Sequence, residues 1–220
     1  MMRRFPVFIL HLLAALSMTA CVRPEPDTPL TIAVEKGDLE TVRALLVQGA
    51  APDTPDRHGL TALIRASRHG NPDIVRALLD AGASPDQNDD YVNGWTPMMH
   101  AIHKDQPKVV GLLIEAGADV NRRAPNGCTA LMFAAGEGQI DLVTLLLDQG
   151  ADPRAETLEH TTALTNAVAG GYTEIVRLLL ARAPDLRLKG ILEDRVALAL
   201  TWIRGRKAIQ GMLNSDPVRP

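Results

Sequence analysis

A tripeptide that begins with threonine and ends in leucine or methionine recurs through most of this chain at nearly fixed intervals. Its copies are separated by 33, 35, 33 and 33 residues and are Thr28-Pro29-Leu30, Thr61-Ala62-Leu63, Thr96-Pro97-Met98, Thr129-Ala130-Leu131 and Thr162-Ala163-Leu164. A period in the low thirties is typical of proteins that stack one small supersecondary unit many times. The sequence therefore predicts an elongated array of similar units.

Two further positions recur with each threonine. Five residues later stands an alanine, small enough to let a neighbouring helix approach closely: Ala33, Ala66, Ala101, Ala134 and Ala167. Nine residues later stands a residue suited to end a helix in the left-handed conformation: Gly37, Gly70, Asp105, Gly138 and Gly171. Glycine adopts that conformation most readily, and aspartate is one of the few other residues that visit it. The first part of each unit is therefore predicted to be a short helix followed by a tight turn.

The second part of each unit has the pattern of a longer helix. A valine stands fourteen residues after the threonine, at Val42, Val75, Val110, Val143 and Val176. An apolar pair follows it, and a glycine closes the helix in the first four units, at Gly49, Gly82, Gly117 and Gly150. Helices this short are marginal alone in water, so each hairpin must bury its apolar side against the next one. A polar finger, bearing Asp and Gly, then leads to the next threonine.

The combined motif, T-[PA]-L…A…G…[IV]-V…LL…GA, resembles the ankyrin repeat over roughly residues 27–190. The resemblance implies an all-α ankyrin-repeat solenoid of about five full repeats, with the array extending over residues 28–214. The residue after the T-P-L motif is usually histidine in that family and links neighbouring fingers. Here it is Thr31, Ile64, Met99, Met132 and Thr165, so we expect fewer polar links between fingers.

The N-terminal segment has the pattern of a secretory signal. Arg3 and Arg4 precede the largely apolar residues 5–20, and Cys21 follows the small residue Ala20. This arrangement resembles a bacterial lipoprotein signal, which implies a signal peptide over residues 1–20 and a lipidated Cys21. Two alternatives remain, a plain cleaved signal and an uncleaved anchor, but the apolar run falls short of the ~20 residues that span a bilayer.

Three further segments flank or close the array. Residues 21–27 contain Pro24 and Pro26 and are predicted to be a short, stiff tether. Beyond residue 183 the pattern weakens, although Val196-Ala197-Leu198 and Gly205 still fit the template of a degenerate sixth repeat that caps the array. The tail, residues 215–220, is predicted to be disordered.

The composition limits the classes of function. The formal net charge is −3, which gives no electrostatic basis for binding nucleic acid. No phosphate-binding glycine loop, paired-carboxylate motif or Ser/His/Asp pattern is present, so we expect no catalysis and no cofactor. His100 and His103 have the spacing of helical metal ligands but no obvious third ligand, and Cys128 has no catalytic partner at a recognisable spacing. We interpret Cys128 as a small filler residue.

The resemblance implies that binding residues lie at the fingertips, before each threonine, and in the pair that closes each first helix. In the second and third units those pairs are Arg68-His69 and His103-Lys104, which would form a basic patch. The second finger carries two extra residues and supplies aromatic side chains that are typical interface anchors. The predicted contact residues are Arg57, His58, Arg68, His69, Tyr91, Trp95, His103, Lys104 and Glu137. The alternative is a solvated face without a partner.

These features together predict a non-catalytic protein-interaction scaffold that binds an acidic segment of another protein. The lipoprotein resemblance places it in the bacterial cell envelope, and Val22 after the cysteine resembles an address on the periplasmic side of the outer membrane. A soluble periplasmic or secreted protein is the alternative location. The alternative functions are an immunity or inhibitor protein against a toxin or hydrolase, and a small-ligand or metal-dependent activity. The last of these predicts a deep pocket with convergent polar groups, whereas a scaffold predicts a shallow groove.

Overall fold

The computed structural model describes residues 27–89, 93–184 and 186, and these residues form ten α-helices with no β-strand. The helices are α1 Pro29–Glu35, α2 Leu39–Val47, α3 Ala62–His69, α4 Pro72–Asp80, α5 Pro97–His103, α6 Pro107–Glu115, α7 Ala130–Glu137, α8 Ile140–Asp148, α9 Ala163–Gly170 and α10 Thr173–Arg182. Each predicted unit supplies one pair of consecutive helices. The predicted all-α repeat solenoid is therefore confirmed.

The threonine that marks each repeat is the N-cap of the first helix of its unit. All five threonines have an extended backbone, and each Oγ1 accepts a hydrogen bond from the backbone N–H three residues later, at 3.0–3.4 Å. Such a bond satisfies one of the N–H groups that a helix leaves unpaired at its start and is worth about 1 kcal/mol. The sequence repeat thus corresponds to a repeated helix start.

The turn between the two helices of each unit has the predicted left-handed residue. The φ angles at this position are between 54° and 77°, and the residues are Gly37, Gly70, Asp105, Gly138 and Gly171. Asp105, which replaces glycine in the third unit, has φ 54°. The second helices of the first four units end next to a glycine with φ between 84° and 87°. In the fifth unit Ala183 occupies this position with φ −143°, outside the left-handed region.

The core is a continuous aliphatic layer between an inner and an outer row of helices. The first helices contact one another in chain order, α1 to α3 to α5 to α7 to α9, and each also packs on the second helix of its own unit. The repeated alanines are at most 4% exposed, and the repeated valines are fully buried. Met98 and Leu131 are 2% and 1% exposed. Every unit therefore buries its apolar side against its neighbours.

Neighbouring fingers are joined by hydrogen bonds from a position that the T-P-L motif does not include. The N–H of Ser84 donates to Asp53 Oδ1 at 3.0 Å, and the N–H of Asp119 donates to Asp86 Oδ1 at 3.0 Å. The N–H of Asp152 donates to Asn121 Oδ1 at 2.8 Å in the same way. The residue after the motif does not supply these links. In each link the donor N–H lies two residues after the glycine that follows a second helix, and the acceptor side chain lies four residues after the corresponding glycine of the preceding unit.

Several predicted segments lie outside the described residues. They are the signal segment 1–20, Cys21 with most of the tether, Tyr91, the degenerate sixth repeat and the tail 215–220. Across the ranges that the structure covers, no helix has the length and apolar character needed to cross a membrane.

Candidate partner-binding groove

The inner helices present one exposed face along the length of the array. Residues four, seven and eight positions after each threonine share this face because they are three or four residues apart on a helix. In α3 these residues are Arg65, Arg68 and His69, and in the third unit His103, the last residue of α5, and Lys104, its C-cap, end the same face. We call this face, from α1 to α9, the groove.

Side chains from neighbouring units meet in the groove. Glu35 of the first unit accepts hydrogen bonds from Arg65 Nη1 at 2.6 Å and pairs with His69 Nε2 at 3.2 Å. His103 of the third unit lies 3.4 Å from Glu137 of the fourth. The structure therefore brings together the predicted residues His69, His103 and Glu137 with their neighbours across unit boundaries.

Acidic residues of the chain itself neutralise part of the predicted basic patch. Arg65, with 14% of its side chain exposed, pairs with Glu35, with the buried Asp56 and with Asp27. Arg57 lies 3.3 Å from Asp27 and donates to His58 Nε2 at 3.0 Å. The side chains of Arg57 and His58 are therefore already engaged in contacts within the chain at the start of the array.

Arg68 and Lys104 differ from the other cations of the patch. Both side chains are exposed, and neither has a carboxylate partner among the residues that the structure describes. They line a depression of about 200 Å³ together with Glu35, Arg65 and His69. In this depression the cations without a carboxylate partner are thus Arg68 and Lys104.

The ionisation of Glu35 and Arg65 is stabilised by their contacts. Partial burial raises the pKa of Glu35, but hydrogen bonds from His69 and Arg65 outweigh it and hold that pKa below its ordinary value. Burial lowers the pKa of Arg65, but Asp56 and Glu35 outweigh it, so the net pKa is raised. Both groups therefore stay charged at neutral pH and neutralise each other.

Trp95, one of the predicted contact residues, is a half-buried part of the groove wall. Its ring centroid lies 5.3 Å from that of His100, 5.5 Å from that of His103 and 4.5 Å from that of Phe133. Tilted and edge-to-face ring contacts of this kind stabilise a cluster beyond simple burial. Trp95 therefore joins the third and fourth units and offers only part of its surface to a partner.

A buried pair that sequence reasoning missed holds the second finger in place. Asp89 Oδ2 is 2.8 Å from His100 Nε2, and the Asp89 carboxylate accepts the N–H groups of Asn93, Gly94 and Trp95. Burial lowers the pKa of His100, and Asp89 offsets this only in part, so the imidazole is neutral at neutral pH. His100 is thus committed to a structural hydrogen bond, and no group of three or more potential metal-ligating side chains occurs in the described part of the chain.

A second depression, which we call the notch, opens in the groove between α7 and α9. It has a volume of about 340 Å³ and is open to solvent. Its lining is mainly apolar or small and includes Cys128, Met132, Phe133, Gly136, Asn166 and Gly170, with Glu137 beside them. The sequence signal for it is the change of the closing pair from large basic residues to Gly136-Glu137 and Ala169-Gly170.

Cys128 lies in the wall of the notch as a half-buried thiol. Burial raises the pKa of the Cys128 thiol above its ordinary value. Because the thiolate is the nucleophilic form, a raised pKa makes the thiol less reactive at neutral pH. The contacts of Cys128 support the interpretation of a packing residue.

A row of stacked helical hairpins with an open, polar groove along its inner helices defines a helical-repeat solenoid. The family model for ankyrin repeats (3 copies) matches residues 7–89, 30–124, 81–157 and 123–190, and the chain belongs to the ankyrin repeat family. Ankyrin repeats generally mediate protein–protein binding. A search of the curated proteins found no match for this chain.

Proposed function

We propose that the protein is a non-catalytic scaffold of the bacterial cell envelope that binds an acidic segment of another protein in its groove. The observation that carries the proposal is the pair of exposed, unpartnered cations, Arg68 and Lys104, in the depression between α3 and α5. A partner carboxylate placed there gains two charge-assisted hydrogen bonds and displaces no internal ion pair. His69, His103 and Glu137 would form the surroundings of that contact.

The shape of the groove supports binding over catalysis. Both described depressions open to solvent, and their carboxylates are already paired within the chain, Glu35 with Arg65 and Glu137 with His103. A general acid, base or nucleophile needs a free and suitably placed group. The polar groups of this groove are arranged for recognition at the surface.

Reversing the two free charges tests the site. Arg68→Glu combined with Lys104→Glu should reduce crosslinking to the partner in native cells by about tenfold or more, because it replaces attraction with repulsion at the contact. The measurement is crosslinking of the tagged full-length protein followed by mass spectrometry. Thermal unfolding should be unchanged, since both side chains are exposed.

A matched control has the same change of charge elsewhere. Arg76 and Lys108 are exposed cations on α4 and α6, the outer helices of the same two units. Arg76→Glu combined with Lys108→Glu should leave capture at the wild-type level. Equal capture by both double variants would place the contact surface elsewhere on the array.

We further propose that the array is held at the periplasmic side of the outer membrane by a lipid on Cys21. The basic start, the apolar residues 5–20 and the cysteine after Ala20 support this location. Cys21→Ser should abolish metabolic labelling with a fatty-acid analogue and release the protein from the membrane fraction. Cys128→Ser should change neither result, and unchanged fractionation of Cys21→Ser would remove the lipid anchor from the proposal.

A further inference from the structure

We propose that the groove binds an extended peptide segment by two points, a carboxylate at Arg68 and Lys104 and one large apolar side chain in the notch. This inference rests on the proposed function and adds the chemistry and the spacing of the partner. The preferred apolar side chain would be Phe, Leu or Met, located about six residues from the acidic one.

The lining of the notch fits one apolar side chain. The half-buried Phe133 and Cys128 supply apolar surface, and Gly136 leaves the space between the two inner helices open. The volume of about 340 Å³ is near the lower end of ligand pockets, which hold about 300–1,000 Å³. A side chain that enters this space exchanges water for contact with an aromatic ring.

The open space at Gly136 is not required by the fold. Gly136 lies within α7 and does not have a positive φ, and an added Cβ would meet its nearest neighbour, Asn166 Cβ, at 3.7 Å, an ordinary contact distance. A glycine inside a helix costs about 1 kcal/mol relative to alanine. Packing and backbone geometry would therefore accept a side chain here, and the sequence keeps the space empty at a cost in helix stability.

The charges of the groove set the direction of the peptide. Glu35 is occupied by Arg65 and His69, so it does not neutralise Arg68 and Lys104. The lining of the notch contains no basic residue, and its one carboxylate, Glu137, lies 3.4 Å from His103. A carboxylate is attracted to the first site and repelled at the second, so the acidic residue goes to α3 and α5 and the apolar one to α7 and α9.

The distance between the two sites sets the spacing. Packed helices are about 10 Å apart, and the two sites are separated by two units, which gives about 20 Å. An extended chain rises about 3.3 Å per residue, so about six residues join the acidic and apolar side chains. Shorter peptides can reach only one of the two sites.

Synthetic peptides test this arrangement with the purified full-length protein. Each fluorescein-labelled peptide carries an Asp-Glu pair, a Gly/Ser spacer of one, three, five, seven or nine residues, and a Phe. Fluorescence anisotropy should give the tightest binding for the five-residue spacer, and Phe→Ala in that peptide should weaken binding about tenfold or more.

Filling the notch gives a direct test of the apolar contact. Gly136→Leu should weaken the Phe peptide by about tenfold and leave the Ala peptide unchanged, so the two changes are not additive. Gly111→Leu is the matched control, because Gly111 lies within α6 on the outer row with no atom within 4 Å of an added Cβ. If the leucine variant fails to fold, Gly136→Ala, whose methyl group fits, replaces it in the same comparison of the Phe and Ala peptides.

Each of the following outcomes would overturn the two-point binding or its notch contact. Additive effects of Gly136→Leu and Phe→Ala, equal affinity for all spacers, or no binding up to about 1 mM would overturn it. Concentration-dependent self-association that Gly136→Leu abolishes would also overturn it, because the occupant would then be a second copy. If cellular capture depends on Arg68 and Lys104 but not on Gly136, the proposed function stands and the notch contact is rejected.

Discussion

At the scale of single residues, glycine has two different roles in this chain. Gly82 ends α4 with φ +85°, a conformation that residues with a Cβ rarely adopt, whereas Gly111 lies inside α6 with ordinary helical backbone. Neither position has another atom within 4 Å of an added Cβ. A difference in stability between alanine variants at these two sites would therefore report backbone conformation and not packing.

Alanine substitution should change stability in opposite directions at these two glycines. Gly82→Ala should lower the free energy of unfolding by about 1–2 kcal/mol, because it forces a Cβ into the left-handed region. Gly111→Ala should raise it by about 0.5–1 kcal/mol, because alanine loses less entropy in a helix. Urea unfolding followed by circular dichroism measures both, and the same sign for the two variants would contradict the backbone assignment.

At the scale of structural elements, the fingers of the first and second units are closed by the same device. In each, a buried aspartate of the finger pairs with a basic residue located four positions after the next threonine: Asp56 with Arg65, and Asp89 with His100. Each aspartate also accepts N–H groups of its own finger, including those of His58 and Leu60 at Asp56. The finger and the following helix are thus one hydrogen-bonded element.

The His100 pair makes the second finger sensitive to acid. Burial lowers the pKa of His100 in the folded state below its ordinary value of 6.5, so the unfolded chain binds this proton more readily. The stabilisation is complete above pH 6.5 and is lost as the pH falls towards the folded-state pKa. The free energy of unfolding should therefore decrease from about pH 7 to about pH 5.

His100→Gln should reduce this dependence, because the amide N–H still donates to Asp89 but does not titrate. Urea unfolding at several pH values measures the slope, and the fluorescence of Trp95, which contacts His100, follows the finger itself. The lowered pKa of Glu35 acts in a separate window, below its ordinary value of 4.5. The same slope in both proteins between about pH 7 and pH 5 would assign the effect to another group.

At the scale of the whole molecule, stability comes from contacts between adjacent units. Most buried apolar side chains of the described residues form one continuous cluster from Leu30 to Leu186, to which all five units contribute. In such an array a defect in a central unit removes the support of both neighbours. The third unit is the centre of the described array.

A buried charge in that unit should disrupt the middle of the array. Met98 is 2% exposed, so Met98→Asp places an unpaired carboxylate in the core and should cost about 4 kcal/mol or more. Met98→Leu conserves volume and should cost less than about 1.5 kcal/mol. Hydrogen exchange should show lost protection in α3 to α7 for the aspartate variant, and a folded, cooperative aspartate variant would contradict this register.

The sequence by itself determined the units of this protein. Cap threonines, close-packed alanines and left-handed turn residues act within a few residues of chain, so a repeated spacing reveals them; even Asp105 in place of glycine was predictable. The family and the exposed closing pairs, which include Arg68 and Lys104, follow from the same periodicity.

Only the tertiary structure decided which of those residues remain free to bind. Arg65 and His69 contact Glu35 of the preceding unit, and the His100 ring is fixed by Asp89. The notch forms where Gly136 leaves space between two helices. Ion pairing and cavity shape depend on distances between side chains that are far apart along the chain, and those distances exist only once the hairpins have stacked.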